Sequence, residues 1–228
     1  MIDHAHDLAR VRDATGRLLT AVAELDNASL ALPSRLPRWS RGHVLAHIAR
    51  NADALVNVLE GRPMYASAER RDADIDHGAP RPVADHLADL RESAARFQAA
   101  GDTPADWTRT VELRNGVTDS AARIPFRRWA EVELHHVDLG TGYELEHLPA
   151  EFLERETGFL AQRFAGHEDV PATRITDGTR AWSTGREAEV AEITVTGQPA
   201  DLLGWLAGRR DGAALEVRGG ALPKLPPL

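Results

Sequence analysis

Cysteine is absent from the 228 residues. Disulfides, thiolate metal sites and a nucleophilic cysteine are therefore excluded. If sulfur chemistry takes place on this chain, the thiol must come from a bound small molecule. Any metal must be held by nitrogen and oxygen ligands. A basic excess is also missing. The net charge is −8, so a surface built to neutralise phosphates is not expected, and nucleic acid is not a predicted partner. No apolar run approaches the roughly 20 residues that span a bilayer. The segment Met1 to Asp7 lacks the basic start and apolar core of a secretory signal. The expectation is a cytoplasmic protein with no membrane partner. What remains is the composition of a globular chain, 43% hydrophobic and 27% charged, long enough for one large domain or two small ones.

The first two-thirds reads as helices. Leu8, Val11, Thr15, Leu18, Val22 and Leu25 recur at spacings of three and four. Pro33 and Pro37 interrupt that pattern. Ser40 then suits the N-cap of a second helix, which would bury Val44, Ile48, Ala52, Leu55 and Leu59. A polar stretch runs to Pro80, and Arg70 to Asp76 within it reads as a solvated segment, with a lid as the alternative. Val83, Leu87, Leu90, Ala94 and Phe97 form a third stripe. Pro125 suits the first turn of a fourth helix, stopped at Gly140-Thr141-Gly142. Four antiparallel helices, each burying one face, predict a bundle over residues 1–142. After it, residues 143–228 read as a small α+β domain. It has a helix at 151–164, strands at 173–176, 192–196 and 215–217, and a helix at 199–208.

Glu131 and His135 are four residues apart, one above the other on a helix. A carboxylate and an imidazole held that way can grip one divalent ion, and His47 on the second helix offers a third ligand. Two histidines and a carboxylate form a common catalytic zinc set with an open fourth position. The competing reading of Glu131 and His135 is a solvated pair. His43 lies one turn before His47 and is the fallback ligand. Glu133 and His136 have di-iron spacing, as do Glu144 and His147, but the further glutamates such a site needs are not found. Trp39, Trp129 and Trp205 read as core or interface residues, and His4, His6, His86 and His167 as surface residues. Arg209 and Arg210 end a helix, where an arginine commonly caps carbonyls.

Three blocks carry a resemblance. Pro33 to His47 (PSRLPRWSRGHVLAH), Glu131 to His135 followed by Asp138-Leu139-Gly140, and Val195 to Arg209 (VTGQPADLLGWLAGR) occur in the order seen in the mycothiol-dependent maleylpyruvate isomerase family. That family is part of the DinB-like superfamily of metal-binding four-helix bundles. The resemblance implies an α+β protein: an N-terminal DinB-like bundle and a C-terminal α/β domain similar to sterol-carrier proteins. It implies zinc bound by His47, Glu131 and His135, mycothiol as thiol cofactor, and Arg209 as the arginine that the family brings to the site. It further implies a small-molecule substrate, isomerised from maleylpyruvate to fumarylpyruvate by reversible thiolate addition, on a monomer. A mycothiol S-transferase, zinc-water hydrolysis and a non-catalytic small-ligand binder are the alternatives.

Overall fold

The computed structural model describes residues 2–103, 106–188 and 190–227. The chain falls into two compact units, Met1–Tyr143 and Glu144–Leu228. Each is described by itself.

The first unit is built on four long helices, α1 (His4–Ala23), α3 (Arg41–Leu59), α5 (Val83–Asp102) and α6 (Ile124–Asp138). Helix α1 packs against α5 and α6, and α3 packs against the same two, so each of the four faces two others. The one-turn α2 (Asn27–Leu30) is capped by Asp26, and α4 (Ala68–Gly78) by Ser67. A hairpin of β1 (Thr110–Glu112) and β2 (Thr118–Ser120) lies beyond α5.

Local chemistry explains the helix ends. The Ser40 hydroxyl accepts from the His43 N–H at the start of α3, as the N-cap expectation requires. Pro125 stands in the first turn of α6, and Gly140 takes a positive φ just beyond its end. Helix α3 is buried on most of its circumference because α4, α5, α6 and β1 all lean on it.

The apolar stripe of α5 differs from the sequence reading. The packed face is Val83, His86, Leu90, Ser93 and Phe97. Leu87 and Ala94 sit at its margin. His86 is fully buried rather than on the surface, with Nε2 donating to the Ala79 carbonyl at 3.4 Å. The Arg70–Asp76 segment is also not simply a solvated stretch. It lies within α4, which packs against α3 through Ile75 and Gly78.

The second unit contains α7 (Ala150–Arg163), α8 (Pro199–Leu206) and a four-stranded mixed sheet. Its strands are β3 (Thr173–Thr176), β4 (Ala181–Thr184), β5 (Ile193–Thr196) and β6 (Glu216–Arg218), in the order β4-β3-β5-β6. Only the β3–β5 pair is parallel. Helices α7 and α8 pack on each other, and α7 also packs on β4. The strand β4 was not expected from the sequence, because Ala-Trp-Ser-Thr carries no apolar alternation. No helix among the described residues is long and apolar enough to cross a membrane.

Candidate metal centre

Helices α3 and α6 bring His47, Glu131 and His135 together, with one ligand atom from each lying within 4.8 Å of the others. Both histidines turn Nε2 toward the same Glu131 oxygen: His47 Nε2 is 3.0 Å from Oε2 and His135 Nε2 is 3.3 Å from it. The rings meet edge to face, with centroids 4.6 Å apart. His47 is buried, and Glu131 and His135 are half-buried. Two imidazole nitrogens and a carboxylate oxygen around one point form a donor set that suits a divalent ion.

The histidines differ in their surroundings. Burial pushes His47 down to about 4, although its hydrogen bond to Glu131 works the other way. Burial also works against charge on His135, but hydrogen bonds to Asp138 and Glu131 outweigh it and raise this residue. Glu131 is held well below the ordinary carboxylate range. Burial opposes its charge, but the hydrogen bonds from His135 and His47 prevail.

Asp138 was not singled out as a functional residue from the sequence. Its side chain is fully buried, and its Oδ2 lies 2.8 Å from Nδ1 of His135. A carboxylate there receives the Nδ1 proton and leaves the Nε2 lone pair facing the cluster. The signal was available as a His-x-x-Asp spacing one turn long. Three more side chains stand beside the cluster. The Trp39 ring lies 5.3 Å from that of His47, so this tryptophan forms a wall of the site. On α4, Arg71 places Nη2 3.4 Å from Nδ1 of His47, and its guanidinium carbon lies 5.8 Å from the centre of the Tyr65 ring. Burial raises the Tyr65 phenol. Tyr65 also lines an adjacent cavity of about 570 Å³, together with Arg109 and Arg114.

The rival residues are otherwise engaged. Ser40 hydrogen-bonds His43 Nδ1, completing a capping box, and His43 Nε2 points to Asp76 at 3.7 Å. Glu133 is buried and accepts from Arg17 (2.5 Å), Trp129 Nε1 (3.0 Å) and the Tyr143 hydroxyl (2.9 Å). His136 stacks on Tyr143 at 4.0 Å. Glu144 and His147 close a capping box around a single 3-10 turn. Behind the site, Arg128 is buried and donates to the Ile48 carbonyl and to Asn51 Oδ1, both at 2.8 Å. Burial lowers this guanidinium to about 10.

In the second unit, Arg209 follows the end of α8 and is half-buried, with Nη1 donating to the Ala207 carbonyl at 2.7 Å. Arg210 binds Asp201 (2.5 Å) and Glu146 (2.6 Å). The carbonyl contact expected of one of the pair thus falls to Arg209, while Arg210 is an ion-pair residue.

Comparisons with known proteins agree with this picture across the chain. Residues 11–140 match the family model described as mycothiol maleylpyruvate isomerase N-terminal domain, and residues 147–227 match the MDMPI C-terminal domain. Among curated proteins, no significant match was found. Among solved structures, the crystal structure of the mycothiol-dependent maleylpyruvate isomerase superimposes with a TM-score of 0.86 at 25% identity, over 99% of this chain and 97% of that one. A histidine-to-alanine mutant of that isomerase gives the same values. With a histidine–glutamate cluster seated between two long helices, and both regions matched in order, the chain belongs to the mycothiol maleylpyruvate isomerase family.

Proposed function

We propose that this protein is a metal- and mycothiol-dependent cis–trans isomerase that converts maleylpyruvate into fumarylpyruvate. In this reading, residues 1–142 house zinc on His47, Glu131 and His135, and residues 143–228 supply Arg209. The observation that carries it is the convergence of His47 Nε2, His135 Nε2 and Glu131 Oε2 in a chain of this family that has no cysteine of its own. When bound, the ion and the thiol together supply a thiolate whose reversible addition to the substrate's double bond permits rotation from cis to trans.

The chain's own residues prepare that chemistry. Asp138 orients His135 through Nδ1. His47 is neutral at pH 7, so no proton competes for its lone pair. Glu131 stays ionised. Trp39 packs beside the His47 ring. Arg209 donates to a substrate carboxylate or to the enolate that develops during addition. All three proposed ligands come from one chain, which suits a monomer. A free thiol cofactor suits the reducing cytoplasm.

The test is turnover of maleylpyruvate with mycothiol, followed by recovery of free thiol, alongside elemental analysis. One zinc per chain, thiol recovered unchanged, and loss of both metal and turnover in His47→Ala are the expected results. Consumption of thiol with release of a conjugate would make the enzyme a transferase. Full metal retention in His47→Ala, Glu131→Ala and His135→Ala would sink the site. Arg209→Ala should keep zinc and lose turnover, with Arg209→Lys recovering only part. Unchanged kinetics in Arg209→Ala would remove it from the reaction.

A further inference from the structure

We infer that Arg71 takes a carboxylate of the substrate beside the His47–Glu131–His135 cluster, on the Nδ1 side of His47, so that the site selects small dicarboxylates over monocarboxylates. The identity of the substrate rests on the isomerase reading above; the anion site itself rests on the surroundings of Arg71.

Helix α4 is largely solvated, and its buried residues are Ile75 and Gly78. A long cation on such a helix ordinarily extends its head into water. Arg71 does the opposite: its side chain is only 12% exposed, and its guanidinium turns toward His47 and over Tyr65. The partners it finds there are an exposed carboxylate, a ring nitrogen and Tyr65, with which it also hydrogen-bonds. Among the described residues, the carboxylate in ion-pair range is that of Asp72, 2.6 Å from Nη1, on the next residue and 61% exposed. Such a pair is solvated and contributes little. Other arginines of this unit hold more enclosed carboxylates. Arg81 and Arg50 share Asp89, and Arg96 binds Asp53.

The second partner of Arg71 is Nδ1 of His47, at 3.4 Å. A ring nitrogen can accept an N–H only while it carries no proton. A neutral histidine that gives Nε2 to an ion carries its proton on Nδ1. Arg71 and His47 would then both present donors, and Nη2 needs a different acceptor. The planar fork of a guanidinium matches a carboxylate in two bonds, and the Tyr65 ring beneath it restricts its orientation. A ligand with two carboxylates can place one on this fork while its reactive carbons face the cluster.

The test uses the zinc-loaded full chain. Succinate, an unreactive dicarboxylate, is titrated calorimetrically into wild type, Arg71→Lys and Arg71→Met, with acetate as the monocarboxylate control. Zinc content is measured on each protein. We expect Arg71→Met to keep its zinc, to bind succinate about ten- to a hundredfold more weakly and to bind acetate nearly as before. Arg71→Lys should recover part of the loss. In steady-state assays with maleylpyruvate and mycothiol, KM should rise more than kcat falls. Unchanged succinate binding in Arg71→Met would overturn the proposal. So would loss of zinc in that variant, which would make Arg71 a support for His47. Should wild type fail to turn over maleylpyruvate, the isomerase reading falls, while the succinate titration still decides the role of Arg71.

Discussion

A partner that accepts the proton of one ring nitrogen helps a histidine to present the other to an ion. His135 has such a partner in Asp138, whereas the Ser40 cap occupies Nδ1 of His43. Two contrasting substitutions follow. Asp138→Ala should weaken zinc binding by about ten- to a hundredfold, with Asp138→Asn in between because an amide oxygen still accepts. Competition with a chromogenic chelator would measure this, and equal affinities in all three proteins would discard the orienting role. His43→Ala should keep the metal and cost about 1 kcal/mol of stability, because it removes the side chain's half of the capping box while the Ser40 hydroxyl still caps the helix. Reading the sequence alone left His43 and His47 as neighbours on one helix face. What separates them is local: Ser40 stands three residues before His43, in capping range, and has no such relation to His47. Glu131 and His135 were legible from their spacing, whereas the burial and triple hydrogen bonding of Glu133 depend on α1 and Tyr143, which no spacing reveals.

Helices α3 and α6 must keep a fixed separation for ligands on both to meet, and Arg128 bridges them. Its buried guanidinium satisfies a helix carbonyl and the side chain of Asn51. Arg128→Leu removes the charge but strands the buried Asn51 Oδ1 and takes a second donor from the Ile48 carbonyl, so a loss of about 1–3 kcal/mol is expected. Urea unfolding of the metal-free protein would measure it; a loss under about 0.5 kcal/mol, the range of ordinary surface changes, would show the bridge to be incidental. At Gly42 a Cβ would meet the Ala79 carbonyl, so Gly42→Ala should push the end of α4 away from α3. The long helices were legible because each repeats apolar residues with helical period. Helix α4 was not, since Ile75 and Gly78 are its only buried residues and make no stripe. The hairpin strands β1 and β2 have three residues each, too few for an alternation to register.

At the scale of the whole molecule, the order of the long helices and the mixed helix and strand that follow them could be read from the chain. The exact face of α5 could not, because His86 and Ser93 occupy buried positions that composition assigns to solvent. That exchange has a thermodynamic consequence. Burial lowers His86, while its bond to the Ala79 carbonyl only partly opposes the shift. A histidine lowered on folding takes up its proton more readily in the unfolded chain. Its stabilising contribution is therefore complete above the ordinary histidine value of about 6.5 and is lost as pH falls from there toward the lowered folded value. Wild type should lose stability between about pH 7 and pH 5, and His86→Gln, which keeps an amide donor without a titrating ring, should lose less across the same interval. The comparison belongs in chelated protein, so that protons competing with metal at His47 and His135 do not enter. Helical circular dichroism should survive that chelation, since the four helices bury their own apolar faces and do not depend on an ion as a zinc finger does. Urea midpoints at each pH then isolate the His86 contribution as the gap between the two curves. Parallel curves would assign the acid sensitivity to other groups, and a collapse of helicity on chelation would show that the metal holds the fold as well as the chemistry.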